Sequence, residues 1–450
     1  MDADVVVIGA GLAGLTAAAE LERGGHAVVV LEARDRVGGR MLNDHLADGT
    51  PLEVGGQWAG PTQRRVLALA EQLGVATFPT HVTGDSLMEY RGRLMRYRGT
   101  IPRLNAAALA DVGQAQLKLD RMARRVPLDA PWEAPRAAAL DGQSFASWLR
   151  RNTVTRGARQ LIALSIAAVW ACEPEDVSLL HVLFYIHSAG SFDALVGTEG
   201  HAQDRRFVGG SALIAERLAA RLADVRLGAP VTEITQDDDG VEAGGVRARH
   251  AVVALAPALA GRLRYDPALP ADRDQLTQRT PNGSVIKAMC AYPEPFWRAD
   301  GLSGQAASTD GAVRVVFDNS PADGSRGVLL GFFEGRQARE WSPRTPAERR
   351  AVLTATFVRL FGARAAAPEE YLERDWSAEE YTRGCYGAHL PTGAWTAFGP
   401  ALRRPAGRVH WAGTETATVW SGYMDGAVQS GERAAAEIAV RLGRPQAEFG

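Results

Sequence analysis

DADVVVIGAGLAGLTAAAELERGGHAVVVLEARDRVGGR, residues 2–40, is the stretch from which the rest of the chain is read. VVVIG at 5–9 is a short run of branched residues, the pattern of a strand buried on both faces. It leads into Gly9, Gly11 and Gly14 at G-x-G-x-x-G spacing, then a small-residue helix, LTAAAELERGG, and a second strand, HAVVVLE, that ends on Glu32. Gly9 permits a tight turn, Gly11 lets the backbone approach a pyrophosphate, and Gly14 lets the helix lie close to the strand. The first N–H groups of such a helix are unpaired and partially positive, which suits phosphate oxygens. Glu32 follows Gly9 by 23 residues, where a carboxylate accepts hydrogen bonds from ribose hydroxyls. A lone glycine fingerprint is weak, and a βαβ unit without a nucleotide is its plain alternative. Here strand, helix, second strand and acid are all present, so a dinucleotide site is expected. The fingerprint does not separate NAD from FAD.

A chain of 450 residues is too long for one compact core and suggests two domains. Its 46% hydrophobic and 23% charged residues are those of an ordinary soluble globular protein, and a net charge of -2 gives no reason to expect nucleic acid or a membrane as partner. Three scattered cysteines, Cys172, Cys290 and Cys385, are too few for a disulfide framework or a zinc site and point to a reducing cytoplasm. No signal peptide precedes the first strand, and the longest apolar run, LIALSIAAVWAC at 161–172, is too short for a bilayer. After the final helix only GRPQAEFG is left, so no terminal anchor is expected. One compositional fact is sharper. Of 50 Lys and Arg residues only Lys118 and Lys287 are lysines. Arginine fills the routine surface roles, so a lysine inside SVIKAMCAY at 284–292 invites a chemical explanation, although a strand lysine that snorkels to solvent is the ordinary reading.

Outward from the first unit, RRVLALAEQLG after residue 63 has helical spacing, and SLMEYRGRLMRYRG at 86–99 reads as a hairpin around Arg91-Gly92. SFASWLRRN at 144–152, the apolar run at 161–172 and HVLFYIHSAGSFDALVG at 181–197 form a helical insertion whose tryptophans, Phe184 and Tyr185 read as core. Residues 205–257 return to the style of the first unit, with QDDDGV at 236–241 a solvated hairpin turn and not a metal site. Residues 281–340 read as a run of strands flooring a substrate cavity, and SPRTPAERRAVLTATFVRLFG at 342–362 as an amphipathic helix begun by Ser342-Pro343 or Thr345-Pro346. There are no internal repeats. The expected organisation interleaves a nucleotide domain (1–79, 206–280, 379–450) with a substrate domain (80–205, 281–378).

ARDRVGGR at 33–40 and LEVGGQWAGPTQ at 52–63 add further glycine turns after Glu32. GCYGAHLPTG at 384–393 carries a cysteine and tyrosine between glycines, and HWAGTETATVWSGYMDGAVQSGERAAAEI at 410–438 carries a second tyrosine in a glycine-bracketed turn before a helix with small residues on one face. Together these motifs resemble the flavin monoamine oxidases, from residue 2 to about 438. The resemblance implies an α/β fold in which a Rossmann-like FAD-binding domain interleaves with an α+β substrate domain. It implies FAD contacts from Arg34, Gly38, Gly39 and Arg40, from Gly55, Gly56, Gln57 and Trp58, and from Gly413, Thr414, Glu415, Gly422 and Met424. Val231 would meet the adenine through its backbone and Trp376 would pack near the ring. GSVIKAMCAYPEPFWR at 283–298 resembles the family segment whose lysine, here Lys287, holds a water against flavin N5. Tyr386 and Tyr423 match the two tyrosines that wall the amine path over the flavin. Cys385 matches the cysteine that forms a thioether to FAD in membrane-bound members, a small buried hydrophobe being its alternative.

The same resemblance carries substrate-cavity roles onto Ala168, Val196, Gln203, Val315, Phe317 and Phe332. Val315 and Ala168 are smaller than their counterparts, Trp58 stands where a tyrosine often does, and His389 replaces a bulky apolar residue, so the identity of the amine is in doubt. The implied reaction takes a primary amine with dioxygen and water to aldehyde, ammonia and hydrogen peroxide, by transfer of a hydride equivalent to flavin N5. An oxidase of di- or polyamines, or of L-amino acids, is the nearby alternative; each needs a charged cavity residue, and none of these six is charged. A flavin-binding module without oxidase activity is the alternative of another class. No nucleic acid or membrane partner is expected, and a homodimer is left open.

Overall fold

A computed structural model describes residues 1–99 and 105–443 of the chain. The expectation about the terminal GRPQAEFG therefore falls almost wholly outside the described residues. The valine strand Ala3–Ile8 lies inside an eight-stranded sheet, parallel to Val28–Leu31 on one side and to Val246–Val253 on the other. Both its neighbours and both its faces are covered, which is why it reads as a continuous apolar run. Val225–Arg226 extends one edge, Glu233–Gln236, Val241–Ala243 and Arg264–Asp266 the other, and Val409–Trp411 joins alongside Val246–Val253. The sheet thus draws on three separated parts of the sequence. Helix Leu12–Arg23 crosses it, and helix Met424–Leu442 packs along that helix. The small-residue face has a reason: a Cβ on Gly431 would stand 2.4 Å from the Ala13 carbonyl oxygen.

The second sheet has seven strands in the order Glu370–Asp375, Val285–Tyr292, Gly327–Glu334, Val315–Asp318, Leu302–Ser308, Asp85–Tyr90 and Arg93–Tyr97. Val285–Tyr292 and Gly327–Glu334 are buried along their whole length. Their antiparallel register sets Lys287 opposite Phe332 and Val285 opposite Glu334. Opposed residues share a face, as do residues two apart, so Lys287, Phe332 and Glu334 all project to one side. The run of strands expected over 281–340 is broken by short helices at Phe296–Ala299 and Arg336–Trp341. Ser342 caps the end of the latter, so the next helix starts at Thr345-Pro346, where Thr345 and Glu348 form a reciprocal capping box. Arg91 and Gly92 do form the hairpin turn, with φ of 53° and 72°.

The insertion is a cluster of helices, Ala106–Ala123, Phe145–Asn152, Arg156–Trp170, Leu179–Ala189 and Phe192–Val196, around a core containing Phe145, Trp148, Ile166, Trp170 and Phe184. Asn105, Ser144, Thr155, Ser178 and Ser191 each cap a helix start through the side-chain oxygen. The apolar helix ends at Trp170, two residues before the apolar run does, because Ala171 is left-handed with φ of 50°. Among the described residues no helix is long and apolar enough to cross a membrane, and no group of His, Cys, Asp or Glu is placed to hold a metal ion.

Candidate active site

A cavity of about 620 Å³ runs from the first glycine turn, between the two sheets, to the helical insertion. Its inner end is built by main chain. Gly9 takes φ of +102°, and a Cβ on Gly14 would lie 2.0 Å from the Gly9 carbonyl oxygen, so the helix can sit this close only without one. At Gly11, the residue that starts the helix, an added Cβ would meet nothing within 4 Å: the space before the helix N-terminus is open. Glu32 is buried there, Oε2 accepting from Ala10 N at 2.8 Å and Oε1 from Arg34 N at 3.0 Å. Those bonds fix the carboxylate while leaving lone pairs for further donors. An open helix start beside a buried acid fits a pyrophosphate and a ribose.

The middle of the cavity is stapled across the chain. Arg40 donates to both Glu415 oxygens, at 2.6 and 3.2 Å, and to the Tyr386 carbonyl at 2.9 Å. Burial alone would lift the Glu415 carboxyl, but the Arg40 guanidinium outweighs it and holds it below its ordinary range. This pair ties the Cys-Tyr loop, whose Cys385–Tyr386 peptide is cis, to the second glycine turn. Cys385 lines the cavity, buried, with its thiol pushed up to about 12 chiefly by desolvation.

Lys287 is 3% exposed and donates to the Gly55 carbonyl at 2.8 Å and to Gln57 Oε1. Gln57 is itself held by Nε2 donating to Asn319 Oδ1 at 2.7 Å. Desolvation pulls the ammonium down to about 7. The lysine does not snorkel: its own strand and the neighbouring Gly327–Glu334 are buried, and its head ends in the cavity. Tyr386 and Tyr423 also line the cavity. Tyr423 precedes the final helix, backed by Trp420 at 4.9 Å and Tyr185 at 5.9 Å between ring centroids. Gly422 before it takes φ of +85°, and a Cβ there would fall 1.9 Å from the Tyr185 hydroxyl. The outer end carries an apolar wall, made by Ala168 and Val196 from the helices and by Val315, Phe317 and Phe332 from the seven-stranded sheet, with Trp58 4.8 Å from the Phe317 ring and the exposed carboxylates Asp193 and Glu199 beyond it. Gln203 lines it too but spends its amide on the Leu195 carbonyl.

The structure thus brings most expected site residues to one cavity, including Gly38, Gly39, Gly56, Gly413, Thr414 and Met424. Four stand elsewhere. Gly14 acts behind the turn and Glu415 behind Arg40. Trp376 is buried with its indole N–H given to the Val54 carbonyl, so it backs the wall instead of lining it. Val231 lies before strand Glu233–Gln236 and packs against the core beneath the sheet, not against the cavity. His389 is buried away from the cavity, held down to about 4 by desolvation. Two cavity residues run against the sequence reading. Tyr185, read as core, is core and cavity wall together. Glu334 adds a buried carboxyl beside the uncharged set of substrate residues: it accepts from the Tyr386 hydroxyl at 3.0 Å, and desolvation lifts its carboxyl to about 7. Strand alternation from Phe332 carried the signal, two residues on in GFFEG.

The profile of the flavin containing amine oxidoreductase family matches residues 12–439. The chain belongs to that family. It is 45% identical over 444 residues to a Mycobacterium tuberculosis protein named as a flavin-containing monoamine oxidase, AofH, with 98% of this chain and 97% of that relative covered. It is 37% identical over 451 residues to the flavin-containing amine oxidase A of Equus caballus, covering 98% of this chain and 86% of the relative. Among solved structures, a putrescine oxidase bound to putrescine superimposes with a TM-score of 0.94 at 36% identity, covering 98% of this chain and 100% of that one. Cyclohexylamine oxidase from Brevibacterium oxydans superimposes with a TM-score of 0.95 at 35% identity over 99% and 100% of the two chains. As a member, the chain is a flavin-dependent amine oxidase whose cofactor is FAD, and the open helix start, buried Glu32 and glycine turns fit that group.

Proposed function

We propose that this oxidase acts on a primary amine with an aromatic or aliphatic tail, giving with dioxygen and water an aldehyde, ammonia and hydrogen peroxide. The observation that carries this reading is the pairing of Tyr386 and Tyr423 in one cavity whose outer wall is apolar. Bound FAD supplies the acceptor for the hydride equivalent and returns its electrons to oxygen. Gly9, Gly11, Glu32, Arg40 and the turns at 38–39, 55–56 and 413–414 would hold it. The apolar wall desolvates the tail and directs the amine inward, where two tyrosine faces receive it. Lys287 spends two of an ammonium's three N–H groups on Gly55 and Gln57, which leaves one for a water or for oxygen near the ring. Cys385, lining the same cavity, would carry a thioether to the flavin. We further assign the interleaved boundaries near residues 80, 206, 281 and 379, and a cytoplasmic setting that suits three buried free cysteines.

The di- or polyamine reading keeps support from the likeness to putrescine oxidase and from Glu334. That carboxylate, however, sits on the hydroxyl of Tyr386, at the reacting end. The carboxylates at the outer end, Asp193 and Glu199, are exposed. An L-amino acid would need a free arginine, yet Arg40 is bound to Glu415 and Arg34 to Glu32 and Thr382. Anaerobic titration of the yellow holoenzyme with benzylamine, tyramine, putrescine and L-leucine tests this: the monoamines bleach the flavin at the lowest concentration. Bleaching by none of the amines sinks the oxidase reading, and preferential bleaching by putrescine replaces the monoamine assignment.

A further inference from the structure

Strand Gly327–Glu334 grips Tyr386 at two points. Phe332 packs edge-on against its ring, centroids 6.1 Å apart at 75°, and Glu334 Oε1 accepts from its hydroxyl at 3.0 Å. At the other end of the residue Arg40 holds the main-chain carbonyl. The second Glu334 oxygen, Oε2, is buried and has no hydrogen-bond partner. A buried carboxylate with one oxygen unsatisfied is costly, and an apolar chamber would be more stable with an aliphatic residue at that point. Its place on the Tyr386 hydroxyl supplies the reason to keep it.

We propose that Glu334 is a positioning residue for amine oxidation: by holding the Tyr386 hydroxyl it fixes the tilt of that ring and enriches its face in electron density, and so sets how tightly the amine is held. A phenol that donates to a carboxylate makes a charge-assisted hydrogen bond and its ring becomes the better partner for a nitrogen carrying partial positive charge. The proposal rests on the amine oxidase reading of the same cavity.

Ionisation of Glu334 makes the device respond to pH. Tyr386 from the Cys-Tyr loop, Arg314 from before strand Val315–Asp318 and Glu173 from after helix Arg156–Trp170 are the charged or titratable groups that face it. Desolvation dominates and places its titration near 7. Lys287, on the neighbouring strand, also titrates near 7 but is tied to Gln57 and Gly55, apart from Glu334. As pH rises through 7 the carboxylate forms and its hold on Tyr386 strengthens, so amine affinity gains.

The test uses holoenzyme as wild type, Glu334→Gln and Glu334→Leu, with rapid anaerobic flavin reduction by the best panel amine at pH 6 to 9, which separates amine affinity from the rate of reduction. E334Q keeps an acceptor for the hydroxyl but not the charge: its affinity matches wild type at pH 6 and is weaker by about tenfold at pH 8.5, the order of a hydrogen bond to a charged group. E334L loses both and is weaker at every pH, with affinity hit harder than the reduction rate. Removing a carboxyl that the fold would rather keep protonated also raises the melting temperature of E334Q over wild type at pH 8.5 more than at pH 5.5, a readout independent of turnover. Affinity–pH curves for E334Q that overlay those of wild type, or an E334L enzyme with unchanged affinity, overturn the proposal while leaving the oxidase reading intact. Failure of every amine to bleach wild type removes the oxidase reading itself.

Discussion

The two ends of the cavity are made in opposite ways. The nucleotide end is local and made of backbone: a strand, a glycine turn and a helix start within Ala3–Arg23, closed by Glu32. The amine end is assembled from side chains whose positions run from Trp58 through Ala168, Lys287 and Glu334 to Tyr423, delivered by helices, by one sheet and by two loops. Backbone function needs particular residues at fixed spacing because geometry leaves few choices. Side-chain function needs only that distant elements meet, so each residue is free to vary and substrate choice lives there. The staple between them is Arg40–Glu415, which joins the glycine turn to the loop bearing Tyr386.

That contrast breaks most sharply at Gly14. A valine there puts a Cβ 2.0 Å from the Gly9 carbonyl, so Gly14→Val yields apoprotein or no soluble protein, read as the ratio of flavin to protein absorbance. An FAD-replete Gly14→Val enzyme would show that the cradle tolerates what its geometry forbids. Next in size, Tyr423→Ala lowers kcat/KM for amines by about 100-fold with flavin content unchanged, since it misplaces the reacting end without touching the nucleotide end. Lys287→Met slows reoxidation of the reduced flavin by about 100-fold, the scale of losing one fixed charge at a reacting centre. The same variant is more stable than wild type below pH 7. The fold holds the lysine near 7 against an ordinary 10.5, so burying the ammonium costs stability fully below 7 and not at all above about 10.5; the melting-temperature gain fades accordingly as pH rises. Ala168→Phe narrows the outer wall and cuts kcat/KM for bulky aromatic amines by about tenfold relative to small ones. Smallest is Cys385→Ala: acid precipitation moves the flavin from pellet to supernatant while amine turnover persists, and flavin in the supernatant of wild type removes the thioether.

Legibility follows the same division. The first unit, the hairpin at Arg91-Gly92, the capped helix at Thr345 and the helical insertion are set by neighbours in sequence, and each is where its residues place it. Lys287 stood out because only one other lysine exists in a chain of 50 cationic residues. Glu334 lies two positions beyond Phe332 and shares its face by strand alternation, a signal that the family resemblance does not carry. Trp376 and Val231 stand outside the cavity lining for another reason. Being near a cofactor in sequence motif does not decide whether a side chain lines the wall or backs it, and here Trp376 satisfies its indole on Val54 behind the wall.

The amino-acid order by itself determined the βαβ nucleotide unit, the two tyrosine motifs and the scarcity that marks Lys287, because turns, caps and close backbone approach depend on which residues are adjacent. The tertiary structure alone decided that Lys287, Phe332 and Glu334 share a face, that the Tyr386 hydroxyl meets a carboxylate, and that the Tyr185 hydroxyl leaves no room for a side chain at residue 422. Strand register and the burial that moves a carboxyl or an ammonium toward neutrality come from long-range packing, and no local pattern encodes them.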